Sequence, residues 1–394
     1  MRLYEFQAKE LLQRYEIPVP AGRVVDDVAG AGRAAARLQC ARYAVKAQIL
    51  SGNRIDVGAI RFAASKEGVE ATAEQLIGQI FTTNQTRPDG EKARWLLVEE
   101  SVAAVQQVYA AVVLDGSAGR LKLLTSRVAG TGIEARIAAE PELIRQTPID
   151  LTSDGPSADF KSAAEAIELK GAAAEEAARI FRQMARLAVE LDATQVEINP
   201  LAITATGQFR ALDAKLELDT HALFRHPALA AFRQALELED GDPHELAADR
   251  HQLNYTALDG DIGVVVNGAG LALATLDMLR EAGCRPANFM DVRTTASSLD
   301  IAHGMGLVLN NPRTQAMLVN VHGGGMQRCD TIAEGIAIAM RQTTRRVPLV
   351  VRLAGNNADF ARTRLAGSGI EFIDATDMKD AIQKLTAALK SAAA

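Results

Sequence analysis

The stretch QVEINPL at positions 195–201, with the return leg ALDAK at 211–215, organises the chain. Val196 and Ile198 alternate with polar residues, which is typical of a half-buried strand. The intervening TATGQ at 204–208 has the length and the glycine of a hairpin loop. The sequence therefore predicts a β-hairpin whose two legs pair antiparallel.

A hairpin that is symmetric about residue 206 places Asn199 opposite Asp213 and Glu197 opposite Lys215. Directly opposed side chains share a face, with Cβ atoms roughly 4.5–5.5 Å apart. An amide oxygen beside a carboxylate suits Mg²⁺, which keeps several waters and takes further ligands from nucleotide phosphates. A solvated hairpin face with a surface ion pair is the alternative, and spacing alone favours that interpretation.

The composition indicates a globular chain of two or three domains, since 394 residues with 48% hydrophobic content can bury more than one core. A net charge of −6 without a basic run gives no support for a nucleic-acid partner or an acidic membrane surface. No apolar stretch approaches the ~20 residues that span a bilayer, and the N-terminus lacks a signal-peptide h-region. Cys40, Cys284 and Cys329 are widely spaced, which indicates reduced thiols. We therefore predict a soluble, cytoplasmic protein.

Several motifs give the chain a resemblance to one family. EINPL at 197–201 followed by LDAK at 212–215 resembles the metal-binding hairpin of the ATP-grasp domain in β subunits of ADP-forming succinyl-CoA synthetases and the related malate–CoA ligases. Further motifs follow in the family's order: LYEFQAKELL at 3–12, ALFR at 222–225, NGAGLA at 267–272, PANF at 286–289, RCD at 328–330 and GNNA at 355–358. Such an ordered set is more specific than any single glycine-rich loop, so the chain is identified as a member.

The predicted fold class is α/β with two domains. The resemblance implies an ATP-grasp domain of α+β type over residues 1–240 and a flavodoxin-like CoA-ligase domain over 241–394, and the polar segment 226–258 marks the boundary. Near-continuous apolar strands that alternate with helices predict a doubly wound parallel sheet in the second domain. Its strands are predicted at 262–267, 287–292, 316–321, 349–353 and 371–373. In the first domain the patterns predict helices at 4–15, 28–38, 66–81 and 172–191, and strands at 23–25, 43–49, 95–99, 108–114 and 121–128.

By resemblance, the nucleotide site consists of Lys46, Asn53, Arg54, Glu99, Val102 and Gln107. Lys46 matches the family lysine that reaches the phosphates, and residues 97–102 match the hinge beside the nucleotide base. The loop 51–59 departs from the family, because it has fewer glycines and carries Asp56 where the family has lysine. Gln107 likewise replaces an acidic residue. Asp56 is expected to place a negative charge close to the polyphosphate, which puts the affinity for ATP or GTP in question.

The resemblance also assigns Mg²⁺ to Asn199 and Asp213. It aligns Glu197 with an acid that contacts the phosphohistidine of a partner α subunit, which binds most of the coenzyme A. None of this chain's own histidines is expected to be the phosphorylated one.

In the second domain the resemblance points to a site shared with the α subunit. Asn267 matches one position of that site, and the loop of Gly323, Gly324 and Gly325 matches another. Arg293 stands where the family has glycine. We hypothesise that it contacts a charged or hydroxylated tail of the acid, because arginine binds oxyanions in a bidentate way.

The implied activity is that of the β subunit of an acid–CoA ligase. Such an enzyme couples hydrolysis of ATP or GTP to thioester formation between CoA and a small dicarboxylic acid such as succinate or malate, as in the tricarboxylic acid cycle. Catalysis of phosphoryl transfer is mostly positioning and electrostatics, which Mg²⁺ and Lys46 would supply. A non-catalytic, regulatory β-like subunit with a degenerate nucleotide loop is the alternative.

Overall fold

The computed structural model describes residues 1–86, 89–229, 232, 243–249, 251, 253–324 and 326–393. It divides into two compact units, Met1–Gln234 (unit 1) and Ala235–Ala394 (unit 2). The predicted domain boundary between residues 240 and 241 lies outside the described residues and stays a prediction.

The described helices of unit 1 are α1 (Glu5–Arg14), α2 (Val28–Leu38), α3 (Lys66–Leu76), α4 (Ile133–Ala139), α5 (Phe160–Glu165) and α6 (Ala172–Glu190). Asp27 and Ser65 begin α2 and α3 by accepting hydrogen bonds from the backbone N–H groups three residues later. The predicted helix 66–81 is too long. It ends at Leu76 because Ile77 is extended and Gly78 adopts a φ of 79°, which a helix cannot continue.

The described strands of unit 1 are β1 (Gly22–Val25), β2 (Tyr43–Ala47), β3 (Ile60–Ala63), β4 (Ile80–Phe81), β5 (Glu91–Lys92), β6 (Leu96–Glu100), β7 (Gln106–Asp115), β8 (Arg120–Ser126), β9 (Arg145–Thr152), β10 (Gly155–Ser157), β11 (Ala193–Ile203), β12 (Phe209–Ala211) and β13 (Ala214–Leu218). One antiparallel sheet has the order β1-β6-β2-β3. A second has the order β10-β9-β8-β7-β11-β12, with β13 also paired to β11. The predicted strand 43–49 is shorter than expected, since β2 ends at Ala47.

The predicted hairpin is confirmed in its register. Within β11 and β13, Glu197 pairs with Lys215. The Asn199 N–H donates to the Asp213 carbonyl over 3.1 Å, so these two residues also face each other. The Thr204 N–H donates a hydrogen bond to the Gln208 carbonyl over 2.9 Å, which closes the hairpin loop. The hairpin therefore presents the four polar residues as predicted.

The described helices of unit 2 are α7 (Pro243–Asp249), α8 (Ala269–Glu281), α9 (Ser298–Asn310), α10 (Cys329–Gln342), α11 (Ala358–Ala366) and α12 (Met378–Ala393). Its strands are β14 (Leu253–Ala257), β15 (Ile262–Val266), β16 (Asn288–Val292), β17 (Ala316–Gly323), β18 (Leu349–Gly355) and β19 (Ile373–Ala375), in the sheet order β14-β16-β15-β17-β18-β19. The strands β15 to β19 are parallel and follow the flavodoxin order 2-1-3-4-5. Successive residues such as Val264 and Val265 belong to different cores, so both faces of the sheet are covered. The doubly wound prediction is confirmed.

Strand β14 lies in the polar segment 226–258, for which the sequence analysis predicted no strand. It pairs antiparallel with β16 at the edge of the sheet. Only Leu253 and Tyr255 are buried, while Asn254 and Thr256 are exposed. An edge strand with one buried face carries too few apolar residues to stand out in a polar segment.

Candidate functional site

Unit 1 contains a cavity of about 630 Å³ that residues from both of its larger sheets line. Eight of the predicted site residues lie on its wall: Lys46, Asn53, Arg54, Glu99, Val102, Gln107, Asn199 and Asp213. Residues that are distant in the sequence thus meet around one space. Glu197 does not belong to the wall, although its pairing partner Lys215 does.

Lys46 lies on this wall at the centre of a buried ion cluster. Its Nζ is 2.8 Å from Glu5 Oε1 and 2.5 Å from Glu99 Oε1, and it donates to the Leu212 carbonyl over 2.6 Å. Strand β2 is buried along its whole length, so an ammonium group on it needs such partners. The Glu99 carboxylate is therefore engaged with lysines rather than open to the cavity.

Lys9 makes the same three contacts from helix α1. Its Nζ lies 2.7 Å from Glu5 Oε1, 2.6 Å from Glu99 Oε2 and 2.7 Å from the Leu212 carbonyl. The sequence analysis missed Glu5 and Lys9 as site residues. Their i,i+4 spacing looks like an ordinary surface ion pair of a helix, and only the burial of α1 makes it part of the cluster.

Arg54 connects this cluster to the hairpin. One guanidinium nitrogen lies 2.6 Å from Glu5 Oε2 and 2.7 Å from Asp213 Oδ1. Burial raises the pKa of Glu5, but Arg54, Lys46 and Lys9 outweigh it and hold that pKa well below its usual value. Burial lowers the pKa of Lys46, but Glu5 and Glu99 outweigh it and raise that pKa. Glu5 and Lys46 are thus ionised at neutral pH.

Asp56, which is expected close to the polyphosphate, does not line this cavity, and its distance from bound phosphates stays a prediction. The residues Asn53, Arg54 and Ile55 line the cavity, whereas Asp56 is exposed and does not. Asn53 has a left-handed φ of 58°, and the Asp56 N–H donates to its carbonyl over 3.2 Å. This turn directs the fourth residue of the segment to solvent.

The oxygens of Asn199 and Asp213 fit a hard divalent cation. Asn199 Oδ1 accepts one hydrogen bond, from the Gly130 N–H at 2.6 Å, and an amide oxygen can accept a second ligand. Asp213 Oδ1 is 2.7 Å from Arg54, while its Oδ2 accepts no hydrogen bond from the described residues and the side chain is 25% exposed. Among the described residues no group of three or more His, Cys, Asp or Glu could hold a metal alone. An ion here would take its other ligands from water and from phosphate oxygens.

The loop around Gly130 is a second element that the sequence analysis missed. Ala129, Gly130 and Thr131 line the cavity, and the Gly130 carbonyl also accepts from Asn199 Nδ2 over 3.3 Å. Gly130 has a φ of 96°, which only glycine adopts readily. The two glycines of AGTG at 129–132 could have indicated this loop from the sequence.

Glu197 is buried beside the hairpin's other polar residues. Its Oε2 accepts from Gln195 Nε2 over 2.8 Å, and its Oε1 lies 3.5 Å from Lys215 Nζ. Lys215 lines the cavity wall, and its Nζ lies close to Gly52. The carboxylate is therefore held next to the cavity rather than in it.

In unit 2 the predicted residues gather at the carboxyl edge of the parallel sheet. Asn267 ties two loops together, since its side chain donates to the His322 carbonyl and accepts from the His322 N–H, both over 2.8 Å. A Cβ on Gly323 would lie 2.8 Å from Cys329 Sγ and from the Asn356 carbonyl, so that position needs glycine. Gly324 is open, and Gly325 lies outside the described residues.

Arg293 follows β16 at the same edge of unit 2. Its Nε donates to Asn254 Oδ1 on the edge strand β14 over 3.0 Å. Asn254 in turn donates to Asp291 Oδ2 over 3.2 Å. The predicted contact of Arg293 with an acid stays a prediction.

Comparison with protein families gives two matches that follow the order of the units. The family model of the ATP-grasp domain matches residues 2–203, and that of the CoA-ligase domain matches residues 265–386. In the described residues, no helix has both the length and the apolar character needed to cross a membrane.

Among curated proteins, similar relatives carry the name succinate–CoA ligase [ADP-forming] subunit beta. That of Bartonella tribocorum is 38% identical over all of both chains, and that of Cupriavidus taiwanensis is 39% identical over 98% of this chain and 99% of the relative. That of Bacillus licheniformis is 37% identical over 99% of this chain and 100% of the relative. An ATP citrate lyase from Methanothrix soehngenii, solved with citrate and coenzyme A, covers 98% of this chain and 99% of its own, with a TM-score of 0.76. At 15% identity that likeness shows the fold alone.

Proposed function

This chain belongs to the family of β subunits of ADP-forming succinate–CoA ligases and is a subunit of a nucleotide-dependent acid–CoA ligase, and we propose that phosphoryl transfer takes place in the unit 1 cavity. The observation that carries the proposal is the meeting of Lys46 and Arg54 with Asn199 and Asp213 on one cavity wall. Two cations and a pair of oxygen ligands are what a polyphosphate with its metal requires.

In this proposal the nucleotide phosphates bind to Lys46 and Arg54. Both side chains are held by carboxylates, Lys46 by Glu99 and Arg54 by Glu5, so they are positioned before the nucleotide arrives. To bind a phosphate oxygen, Lys46 gives up its hydrogen bond to the Leu212 carbonyl. It remains a cation when it does so, because Glu5 and Glu99 raise its pKa. Asn199 and Asp213 would hold Mg²⁺, which would neutralise part of the phosphate charge.

Glu197 is proposed to receive the phosphorylated histidine of the α subunit. A carboxylate that accepts the second N–H of an imidazole fixes its tautomer and raises its basicity. The family name implies the α subunit as the partner, which binds most of the coenzyme A in this proposal. Asn267 and the Gly323–Gly325 loop would contribute the β side of the shared site.

The acid is proposed to be a small dicarboxylate such as succinate or malate. Arg293 would contact its charged tail, and an Arg293→Gly variant that left the ranking of acids by kcat/KM unchanged would remove that role. A panel of acids with CoA and the assembled enzyme separates the candidates.

The test of the proposed site does not depend on the acid. The chain is co-expressed with its α-type subunit, supplied with Mg²⁺ and γ-labelled ATP or GTP, and assayed for acid-labile label on α. Label on α is the expected result. A folded and associated complex that takes up no label from either nucleotide contradicts the proposal and favours the alternative, a regulatory β-like subunit.

Replacing Asp56 with lysine, the residue that the family carries, is expected to change the KM for ATP by less than about threefold. The side chain is exposed and outside the cavity, where solvent and salt screen its charge. Steady-state kinetics at low and at physiological ionic strength measure the effect. A tenfold fall in KM at both would place Asp56 at the phosphates after all.

A further inference from the structure

We propose that Phe62 and Arg42 form the contact surface for the nucleobase, with the Phe62 ring stacked on the purine. This inference rests on the proposed placement of the phosphates at Lys46 and Arg54. It names two residues of the cavity wall that the sequence motifs did not single out.

Phe62 is an exposed aromatic residue inside a cavity. It lines the cavity wall and is 48% exposed, whereas the neighbouring strand β2 is buried along its whole length. An aromatic ring left half in solvent gains free energy when a flat ligand covers it. The cavity wall around it also includes Ala44 and Ile60, whose small or aliphatic side chains leave the ring accessible.

Register places the ring at a suitable distance from the phosphate end. Phe62 pairs with Ala44, and Ile60 pairs with Lys46, so all four share one face of the β2–β3 pair. The ring is therefore two residues, about 7 Å, farther along the sheet than Lys46. That spacing leaves room for a ribose between a base at Phe62 and phosphates at Lys46. The predicted hinge residue Val102 and the Gln107 side chain line the same cavity.

Arg42 completes the surface. Its Cζ lies 4.7 Å from the centroid of the Phe62 ring. The guanidinium is exposed and donates no hydrogen bond to the described residues, so its N–H groups are available to a ligand. The guanidinium lies over one face of the Phe62 ring, so the purine stacks on the opposite face, and the N–H groups of Arg42 suit the acceptor atoms of a purine.

The experiment separates base binding from phosphate binding in the assembled enzyme. Phe62→Ala is expected to raise the KM for ATP about 10-fold, with kcat within about twofold, since base–aromatic stacking is lost. Inhibition by inorganic tripolyphosphate, which has no base, is expected to keep its wild-type inhibition constant. Phe62→Trp should retain the wild-type KM, and Arg42→Ala should raise KM about threefold.

Phe224→Ala is the matched control. Phe224 is 82% exposed and also has an arginine over its ring, Arg225 at 6.0 Å, but it does not line the cavity. The KM of the Phe224→Ala enzyme for ATP should stay at the wild-type value. The inference is overturned if Phe62→Ala leaves the KM for ATP unchanged, or if it weakens ATP and tripolyphosphate equally. A wild-type complex that transfers no phosphate overturns both this inference and the proposed function, whereas an active wild type with an unaffected Phe62→Ala overturns this inference alone.

Discussion

Replacing Glu5 with alanine is expected to lower the free energy of unfolding of unit 1 by about 3–5 kcal/mol, because it leaves buried cations without their shared counter-charge. Glu5 is 3% exposed, and its two oxygens contact Lys9, Lys46 and Arg54. The remaining carboxylates, Glu99 and Asp213, cannot neutralise three cations. The change removes one small carboxylate but unbalances the whole cluster.

Denaturant unfolding followed by the fluorescence of Trp95, the single tryptophan, measures this effect. The indole lies 5.2 Å from the Tyr4 ring and 5.9 Å from the Phe6 ring, so it reports on the start of α1. Glu10→Ala is the control. Glu10 is on the same helix and pairs with Arg14 at the surface, so its loss should cost no more than about 0.5 kcal/mol. Equal losses for the two variants would show that the cluster contributes no more than a surface pair.

The same cluster predicts a pH dependence. Because the pKa of Glu5 is depressed in the folded chain, its ionisation stabilises the fold above the ordinary carboxyl pKa of 4.5. That contribution is lost as the pH falls from there towards the folded pKa. The wild type should therefore lose stability on acidification more steeply than Glu5→Gln, which lacks the titrating group. Parallel curves below pH 4.5 would contradict the depressed pKa.

Replacing Lys46 with methionine is expected to slow phosphoryl transfer to the α subunit by about 10²–10³-fold, the typical loss when one electrostatic donor to a transition state is removed. Lys46 is the lysine of the ion cluster that lines the cavity, whereas Lys9 does not. The rate of label transfer from γ-labelled ATP, expressed per folded molecule, measures the effect.

Lys9→Met is the matched control for this variant. Lys9 contacts the same three residues as Lys46, namely Glu5, Glu99 and Leu212, but it does not line the cavity. Both variants should destabilise unit 1 to a similar extent, which Trp95 fluorescence reports. Only Lys46→Met should lose transfer, with Lys9→Met within about tenfold of the wild type. If the two lose transfer equally, Lys46 acts through the structure of the cluster and not through the phosphates.

The sequence predicted the elements with strong periodicity and missed those that depend on neighbours. Helix α2 and strands β7 and β8 were predicted near their observed positions, because their apolar residues repeat regularly. Strand β14 was missed, since an edge strand buries only alternate residues. Helix α3 was predicted too long, since its end depends on one glycine.

The sequence by itself determined the family, the two fold types and the register of the hairpin that pairs Asn199 with Asp213. All of these are encoded locally, in ordered motifs and in the period of apolar residues. Only the tertiary structure decided which charges act together. Glu5 and Lys9 join Lys46 because helix α1 is buried against the sheet, and Asp56 leaves the cavity because a turn directs it to solvent. Burial and long-range packing turn an ordinary helical ion pair into the support of a candidate phosphate site, and neither is visible in residue spacing.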